Sequence, residues 1–170
     1  MKTRSPALLC LCLLLLGLSL SGCARRGADT PLPSLGLDGV TAEQVLADDT
    51  HGGFHGDGLT YKVFRLDGAE AEAAFRADGR WKPLPASEPV QILIYGVTDA
   101  AAQIGPFFTD EQGGARFPAV ENGWYFFEDR HAEAVDPEDA GAALERPSFN
   151  CTIALYDADT ETLYYGALDT

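Results

Sequence analysis

Basic side chains are scarce in this chain of 170 residues. Lysine and arginine together number 12 against 26 aspartates and glutamates, so the formal net charge is −14 at pH 7. Nucleic-acid-binding proteins need clustered Lys and Arg to face phosphates, and proteins that bind anionic membrane surfaces need polybasic segments. The composition therefore excludes both classes. Apolar residues make up 46% of the chain and aromatic residues 10%, which suits a packed domain.

The one long hydrophobic run is too short to span a bilayer. Residues 7–20 carry no charge and follow Lys2 and Arg4. At about 1.5 Å per residue the run covers roughly 21 Å as a helix, whereas the hydrocarbon core is roughly 30 Å thick. A basic head followed by a short apolar run is typical of a secretory signal peptide. We therefore interpret residues 1–22 as a signal peptide.

The run ends in Leu20-Ser21-Gly22-Cys23, which resembles the lipobox of bacterial lipoproteins. The resemblance implies that a diacylglyceryl group is attached to the Cys23 thiol and that the chain is cleaved before Cys23. Two acyl chains give stable anchoring where one chain gives only marginal binding. The resemblance thus implies a lipid-anchored protein on the extracytoplasmic face of the cell membrane, or in the outer membrane if the host is diderm.

Cysteine is also scarce. Cys10 and Cys12 lie in the predicted signal peptide and Cys23 receives the lipid, so Cys151 alone remains. A single remaining thiol excludes an intramolecular disulfide. Cys151 lies in an alternating strand pattern, which favours a buried structural thiol over a catalytic one.

The rest of the chain divides into a tether and one domain. Residues 23–40 contain the lipidated cysteine, Pro31, Pro33 and several glycines with little periodicity, which predicts a flexible tether. We expect residues 41–170 to form a single α+β domain. It should hold a small antiparallel sheet of four or five strands with one or two helices on one face.

Several elements of this domain follow from periodicity. Strands are predicted at residues 59–66 and 123–129, and Asp67 is placed to cap a helix over residues 68–77. Alternation over residues 149–156, a polar turn, and a returning apolar run over residues 162–168 predict a C-terminal β-hairpin.

Four segments give weaker signals. A short helix is predicted to begin at Thr41, with Gln44 three residues after the cap. Residues 90–95 favour a strand, although an apolar run this short also suits a helix. Residues 97–120 are expected to form a long loop or lid, with at most one short strand. Residues 132–145 are expected to form a solvated acidic loop.

The segment His51-Gly52-Gly53-Phe54-His55-Gly56-Asp57-Gly58 combines two histidines, four glycines and an acid. Imidazole and carboxylate groups bind zinc and similar divalent metals. A segment with four glycines does not form a stable helix. The four-residue spacing of His51 and His55 therefore does not place them on one face of a helix. A tight glycine loop entering the next strand, a ligand-binding loop and a metal site that includes Asp57 all remain open.

Asp129 and His131 follow the aromatic strand at residues 123–129. Period-two alternation puts both on one face of the strand, where a carboxylate can orient an imidazole that acts as a general base. The alternative is a structural ion pair and hydrogen bond at a strand end. Three serines remain after the predicted cleavage site, and none lies in a G-x-S-x-G motif.

Three segments of the domain resemble a family of small extracytoplasmic lipoproteins from Gram-positive gut bacteria. They are Thr-His-Gly-Gly-Phe-His-Gly-Asp-Gly at residues 50–58, an Asn-Gly, aromatic and Asp-Arg-His pattern at residues 122–131, and the segment from Ser-Phe-Asn to Thr-Leu-Tyr-Tyr at residues 148–165. No activity is attached to that family, so the resemblance implies no catalytic residues.

Two functional hypotheses follow. The favoured one is a membrane-anchored extracytoplasmic binding module for a protein, peptide or envelope ligand, without a bound cofactor. The alternative is a metal-dependent or acid/base hydrolase that uses His51, His55 and Asp57 together with Asp129 and His131.

Overall fold

The computed structural model describes residues 30–52, 56–98 and 102–170. Leu32–Thr170 forms one compact unit, and every element named below belongs to it. The strands are β1 (Ala42–Asp49), β2 (Gly58–Leu66), β3 (Lys82–Pro83), β4 (Val97–Thr98), β5 (Gln103–Ile104), β6 (Gly123–Asp129), β7 (Asn150–Asp157) and β8 (Thr162–Asp169). The helices are α1 (Gly68–Ala77), α2 (Glu88–Tyr95) and α3 (Ala140–Leu144).

Six strands form one antiparallel sheet in the order β1-β2-β8-β7-β6-β3, and β4 pairs with β5 separately. This confirms the α+β class, the antiparallel sheet and the C-terminal hairpin, which is β7-β8. The predicted size of the sheet was wrong because β1 and the two-residue β3 add to its edges. In the described part of the chain there are three helices rather than one or two, and none of them is long and apolar enough to cross a membrane.

Both faces of the sheet are covered by apolar side chains. On β7, Cys151, Ile153 and Leu155 belong to one core cluster, while Ala154 and Tyr156 belong to the other. Alternation along a strand sends these two sets to opposite faces. Helices α2 and α3 pack on the first face and α1 packs on the second. The expectation that the helices share one face is therefore wrong.

Helix α1 begins and ends as predicted. The Asp67 carboxylate accepts a hydrogen bond from the Glu70 backbone N–H at 3.0 Å, which satisfies one of the free donors of the first turn. Ala71 and Phe75 are buried against the sheet. Local capping and helical spacing agree here, so the sequence signal is clear.

Residues 88–95 form a helix, and the favoured strand prediction for residues 90–95 was wrong. The buried residues Val90, Leu93 and Ile94 have helical spacing. Pro89 lies in the first turn, and Gly96 follows the last turn with a φ of 72°. Proline at the start and a left-handed glycine just after the end are the asymmetric signals of a helix.

Residues 42–49 form strand β1, and the predicted short helix beginning at Thr41 was wrong. The backbone N–H of Thr41 donates to the Glu70 carboxylate at 2.7 Å, so Gln44 does not complete a capping box. Strand β1 instead pairs with β2 from Ala42 to Asp49, with a bulge between Gln44 and Leu46. A helix this short is marginal by itself, and pairing with β2 supplies more backbone hydrogen bonds.

Two predicted loops contain regular structure. Residues 132–145 end in α3, where Asp139 caps the helix and Ala140 and Ala143 are buried. Residues 97–120 contain the β4-β5 pair. The same segment carries Phe108 and Phe117, which are buried and meet edge to face at 5.5 Å.

The segment that carries Phe108 rests directly on strand β8. A side chain added at Gly166 would place its Cβ 2.8 Å from the Phe108 ring. Glycine at this position therefore lets the segment pack close to the sheet. The contact positions the neighbouring polar residues 109–116 beside the end of β8.

Residues 32–40, which the sequence assigns to the tether, pack as part of the domain. Leu35 and Leu37 are 0% and 1% exposed. The Trp81 indole N–H donates to the Leu35 carbonyl oxygen at 2.8 Å, inside the core. Leucine packing and this buried hydrogen bond therefore fix the segment against the face that carries α1.

We predict that Leu35→Ala lowers the free energy of unfolding by about 2–5 kcal/mol, because it removes a fully buried side chain and leaves a cavity. Urea unfolding followed by tryptophan fluorescence measures the change. Asp38→Ala, at an exposed position of the same segment, should change it by less than about 0.5 kcal/mol. Equal small effects for both variants would mean that the segment does not pack on the core.

Candidate functional site

The register of β8 brings three separate segments together at one end of the sheet. Asp169 lies opposite Gly58 of β2 on one side and opposite Asn150 of β7 on the other. On the next strand, Asp129 lies opposite Cys151. Residues from the glycine-rich segment, from the end of β6 and from the C-terminal strand therefore meet here.

His51 bridges two carboxylates at this end. Its Nδ1 lies 2.7 Å from Asp49 Oδ1, and its Nε2 lies 3.2 Å from Asp169 Oδ2. Ionised carboxylates only accept hydrogen bonds. Both contacts are hydrogen bonds at once only when the imidazole is protonated, so this geometry selects the imidazolium.

The pKa values follow from this arrangement. The hydrogen bond to Asp49 raises the pKa of His51 above its ordinary value of 6.5, and the bond to Asp169 adds to the effect. Hydrogen bonds from the backbone N–H and the ring of His51 lower the pKa of Asp49 below its ordinary value of 3.8. Each group of the pair therefore stabilises the charged form of the other.

Asp169 extends the network across the sheet. Its Oδ1 forms an ion pair with Arg130 Nη2 at 2.9 Å, and the Arg130 Nε donates to Thr152 Oγ1 at 3.0 Å. His51 and Arg130, 79 positions apart in the sequence, thus share one carboxylate. This carboxylate links the two predicted histidine segments.

Gly58 makes room for His51. A Cβ at position 58 would lie 2.6 Å from the backbone N and Cα of His51. No real side chain tolerates that distance, so residue 58 must be glycine for His51 to pack here. The glycine-rich segment is therefore partly explained as a tight entry into β2.

The sequence suggested that Asp129 orients the His131 ring, but Asp129 contacts Arg146 and the His131 backbone instead. Asp129 is buried, and its carboxylate forms an ion pair with Arg146 and accepts a hydrogen bond from the backbone N–H of His131 at 3.0 Å. These contacts make Asp129 a structural acceptor at a strand end. They match the alternative interpretation of this pair, which was a structural ion pair and hydrogen bond at a strand end.

The His131 ring lies beside Ser148 but in an unsuitable form for base catalysis. The Glu133 backbone N–H donates to His131 Nδ1 at 3.2 Å. In the neutral ring the proton is then on Nε2, which faces Ser148 Oγ at 3.4 Å. A protonated Nε2 cannot accept the serine proton, so this arrangement does not activate Ser148 as a nucleophile.

His51, Asp49, Asp169 and Arg130 are called the His51 network below. A groove of about 490 Å³ lies beside it. It forms where the ends of β1 and β8 and the start of β2 face the segment that carries Phe108. Its walls are Asp48, Thr50, Asp57, Gly58, Leu59, Phe107, Thr109, Asp110, Glu111, Arg116, Leu168, Asp169 and Thr170. Leu59, Leu168 and Phe107 give the groove an apolar part.

Negative charge dominates the groove, with five carboxylates against one guanidinium. Arg116 is already ion-paired with Asp48, and Asp110 accepts hydrogen bonds from the Gln112 and Gly114 backbone N–H groups. Asp57 and Glu111 are exposed, and no ion pair joins either one to another described residue. A cationic group can therefore approach these two carboxylates without displacing an ion pair between described residues.

The predicted site residues thus fall into three places. His51 lies in the network, Asp57 lines the groove, and Asp129 and His131 lie at the end of β6 with separate partners. His55 lies outside the described residues. Within the described ranges, no three His, Cys, Asp or Glu side chains are placed to hold a metal ion.

Sequence reasoning missed Asp169 and the groove carboxylates Asp110 and Glu111. Asp169 follows the predicted strand at residues 162–168, and continuing the hairpin register would have placed it opposite Asn150. Asp110 and Glu111 carry no comparable signal, because the segment that holds them is positioned by Phe108 and Gly166.

We predict that His51→Gln destabilises the protein more at acidic than at alkaline pH. Because the folded-state pKa of His51 is raised, its stabilisation is fully present below pH 6.5 and is lost as pH rises through the folded-state value. The loss should reach up to about 1 kcal/mol at about pH 5.5, as for a partly exposed ion pair, and should shrink by about pH 8.5.

Denaturant unfolding at both pH values measures this difference. His131→Gln is the matched control, because its ring contacts a backbone N–H and a serine rather than carboxylates. A His51→Gln effect that is the same at both pH values would contradict the charged network.

Comparison of the chain with models of known protein families, with curated proteins and with solved structures finds no match. The functional argument therefore depends on the sequence motifs and on the geometry of the groove and its network.

Proposed function

We propose that this protein is a lipid-anchored extracytoplasmic domain that binds a cationic ligand in the groove beside the His51 network. The observation that carries the proposal is the excess of carboxylates in a groove with an apolar part. Asp57 and Glu111 are the residues proposed to contact the ligand. Leu59 and Phe107 would contact the apolar portion of the same ligand.

The anchor is proposed from the sequence. A basic head, an uncharged run over residues 7–20 and the Leu-Ser-Gly-Cys motif ending at Cys23 support lipid attachment there. The first core residue in the described part of the chain is Leu32. A lipid at Cys23 would be attached nine positions before Leu32 in the sequence and would tie the domain to the membrane.

The geometry supports a binding module better than the hydrolase alternative. His51 is paired with two carboxylates, Asp129 with Arg146, and the His131 ring presents a proton to Ser148. Each of these groups is held by structural partners. The groove, by contrast, presents carboxylates to solvent.

We predict that Cys23→Ser abolishes membrane attachment. Cells that express the chain with a C-terminal tag should incorporate an alkyne-labelled palmitate into the protein, and the protein should partition into the detergent phase. Cys23→Ser should lose both properties, because only the thiol of this residue accepts the lipid. Cys12→Ser, in the apolar run, is the matched control and should retain both.

A Cys23→Ser protein that keeps the label and the partitioning would refute the anchor. That result would not affect the groove, which is tested separately.

We predict that the protein binds acetylated, amidated tetralysine with an affinity that falls as salt rises, since partly exposed charges are screened. Asp57→Asn and Glu111→Gln should each weaken binding roughly twofold to fivefold, as expected for partly exposed charge pairs. Isothermal titration calorimetry measures the Kd. Asp38→Asn and Glu121→Gln, which remove exposed charges outside the groove, are the matched controls.

Equal weakening by the groove variants and the control variants would show only a general effect of net charge, and it would overturn the groove as the binding site. No tetralysine binding at low salt would overturn the cationic ligand itself.

A further inference from the structure

The two edges of the six-stranded sheet differ greatly in how well they are protected. Strand β3 closes one edge with only two residues, and one of them is Pro83. Short edge strands and proline both prevent further pairing. Strand β1 forms the other edge with eight residues that include no proline, and within the described ranges no strand pairs with its outer side.

The direction of the free backbone groups on β1 follows from its pairing with β2. Thr50 N–H donates to the Leu59 carbonyl oxygen, and Asp67 N–H donates to the Thr41 carbonyl oxygen. In an antiparallel pair, residues that bond the partner alternate with residues that point away. When this alternation is followed along the register and across the bulge, four β1 residues have backbone N–H and C=O groups that point away from β2. They are Ala42, Gln44, Ala47 and Asp49.

Apolar side chains accompany this open edge. Val45 is 52% exposed and Leu46 is 43% exposed. The register bulge between Gln44 and Leu46 leaves Val45 without a partner on β2. Exposed β-branched and aliphatic side chains on a strand edge favour contact with another extended segment.

The charges on β1 decide which segment fits. Antiparallel pairing of two copies about the centre of β1 would place Glu43 directly opposite Asp48, and like charges opposite each other are destabilising. Asp48 also lines the acidic groove, which continues from the end of the strand with Asp57 and Glu111. A basic extended segment meets a carboxylate near the start of the strand at Glu43 and the exposed groove carboxylates Asp57 and Glu111 beyond its end.

We propose that β1 is the docking strand for an extended, basic segment of a partner polypeptide, which adds to the sheet edge and extends a Lys or Arg side chain into the acidic groove. This inference rests on the proposed groove function and names the class of ligand. Backbone hydrogen bonds to β1 supply affinity, and the groove carboxylates supply the preference for basic side chains.

The test uses the full chain in detergent and three acetylated, amidated octapeptides. The first alternates Lys and Val. The second has the same sequence with alternate backbone amides N-methylated, so that one edge cannot donate hydrogen bonds. The third alternates Glu and Val. We expect the Lys-Val peptide to bind at least about tenfold more tightly than either of the others, since it alone has both the backbone donors and the charge.

A change in β1 provides the reciprocal test. Ala47→Pro removes an outward N–H without removing a hydrogen bond to β2, and it should weaken Lys-Val binding at least about tenfold. Ala47→Val keeps the N–H and is the matched control. The melting temperature of each variant shows whether the sheet is intact. If Ala47→Pro does not fold, the N-methylated peptide alone decides.

Each other outcome overturns the inference in an identifiable way. Equal binding of the N-methylated peptide would leave groove binding intact and remove strand addition. Equal binding of the Glu-Val peptide would remove the requirement for basic side chains. Dimerisation through β1, seen by sedimentation and reversed by Ala47→Pro, would assign the edge to a second copy. If tetralysine also fails to bind, the groove function fails with it.

Discussion

The placement of β8 between β2 and β7 is the constraint on which the rest of this structure depends. Eight residue pairs join β8 to β2 and eight join it to β7. A shift of one residue would send Leu163 and Leu168 to the wrong faces, since side chains alternate along a strand. The two apolar faces therefore hold β8 in register. The same register leaves Asp169 between Gly58 and Asn150, where His51 and Arg130 reach it.

Local signals predicted the elements in which capping, spacing and burial agree. Helix α1 has a cap at Asp67 and a buried face through Phe75, and the β7-β8 hairpin has clear alternation. Strand β1 and helix α2 were mispredicted because their local patterns were ambiguous. Strand β1 depends on β2 for its backbone hydrogen bonds, and α2 depends on the sheet to bury Val90 and Leu93.

The candidate site was predictable only in part, because most of its contacts are not local. The glycine-rich segment identified His51 and Asp57, but nothing near them in the sequence indicates Asp169 or Glu111. Those residues are brought in by the hairpin register and by the packing of Phe108 on Gly166. Likewise, Asp129 and His131 are close in the sequence, but the Asp129 carboxylate forms its ion pair with Arg146, which lies in a different segment.

The acidic composition has two consequences on this fold. Along β1, antiparallel pairing of two copies would place Glu43 opposite Asp48, and like charges opposite each other disfavour that pairing. At the end of the same strand, Asp48 continues into a groove in which Asp57 and Glu111 face solvent. In the proposed docking, one distribution of charge would repel an acidic strand and attract a basic one. Backbone pairing at a sheet edge does not by itself select a sequence, and in the proposed docking the adjoining carboxylates would supply that selectivity.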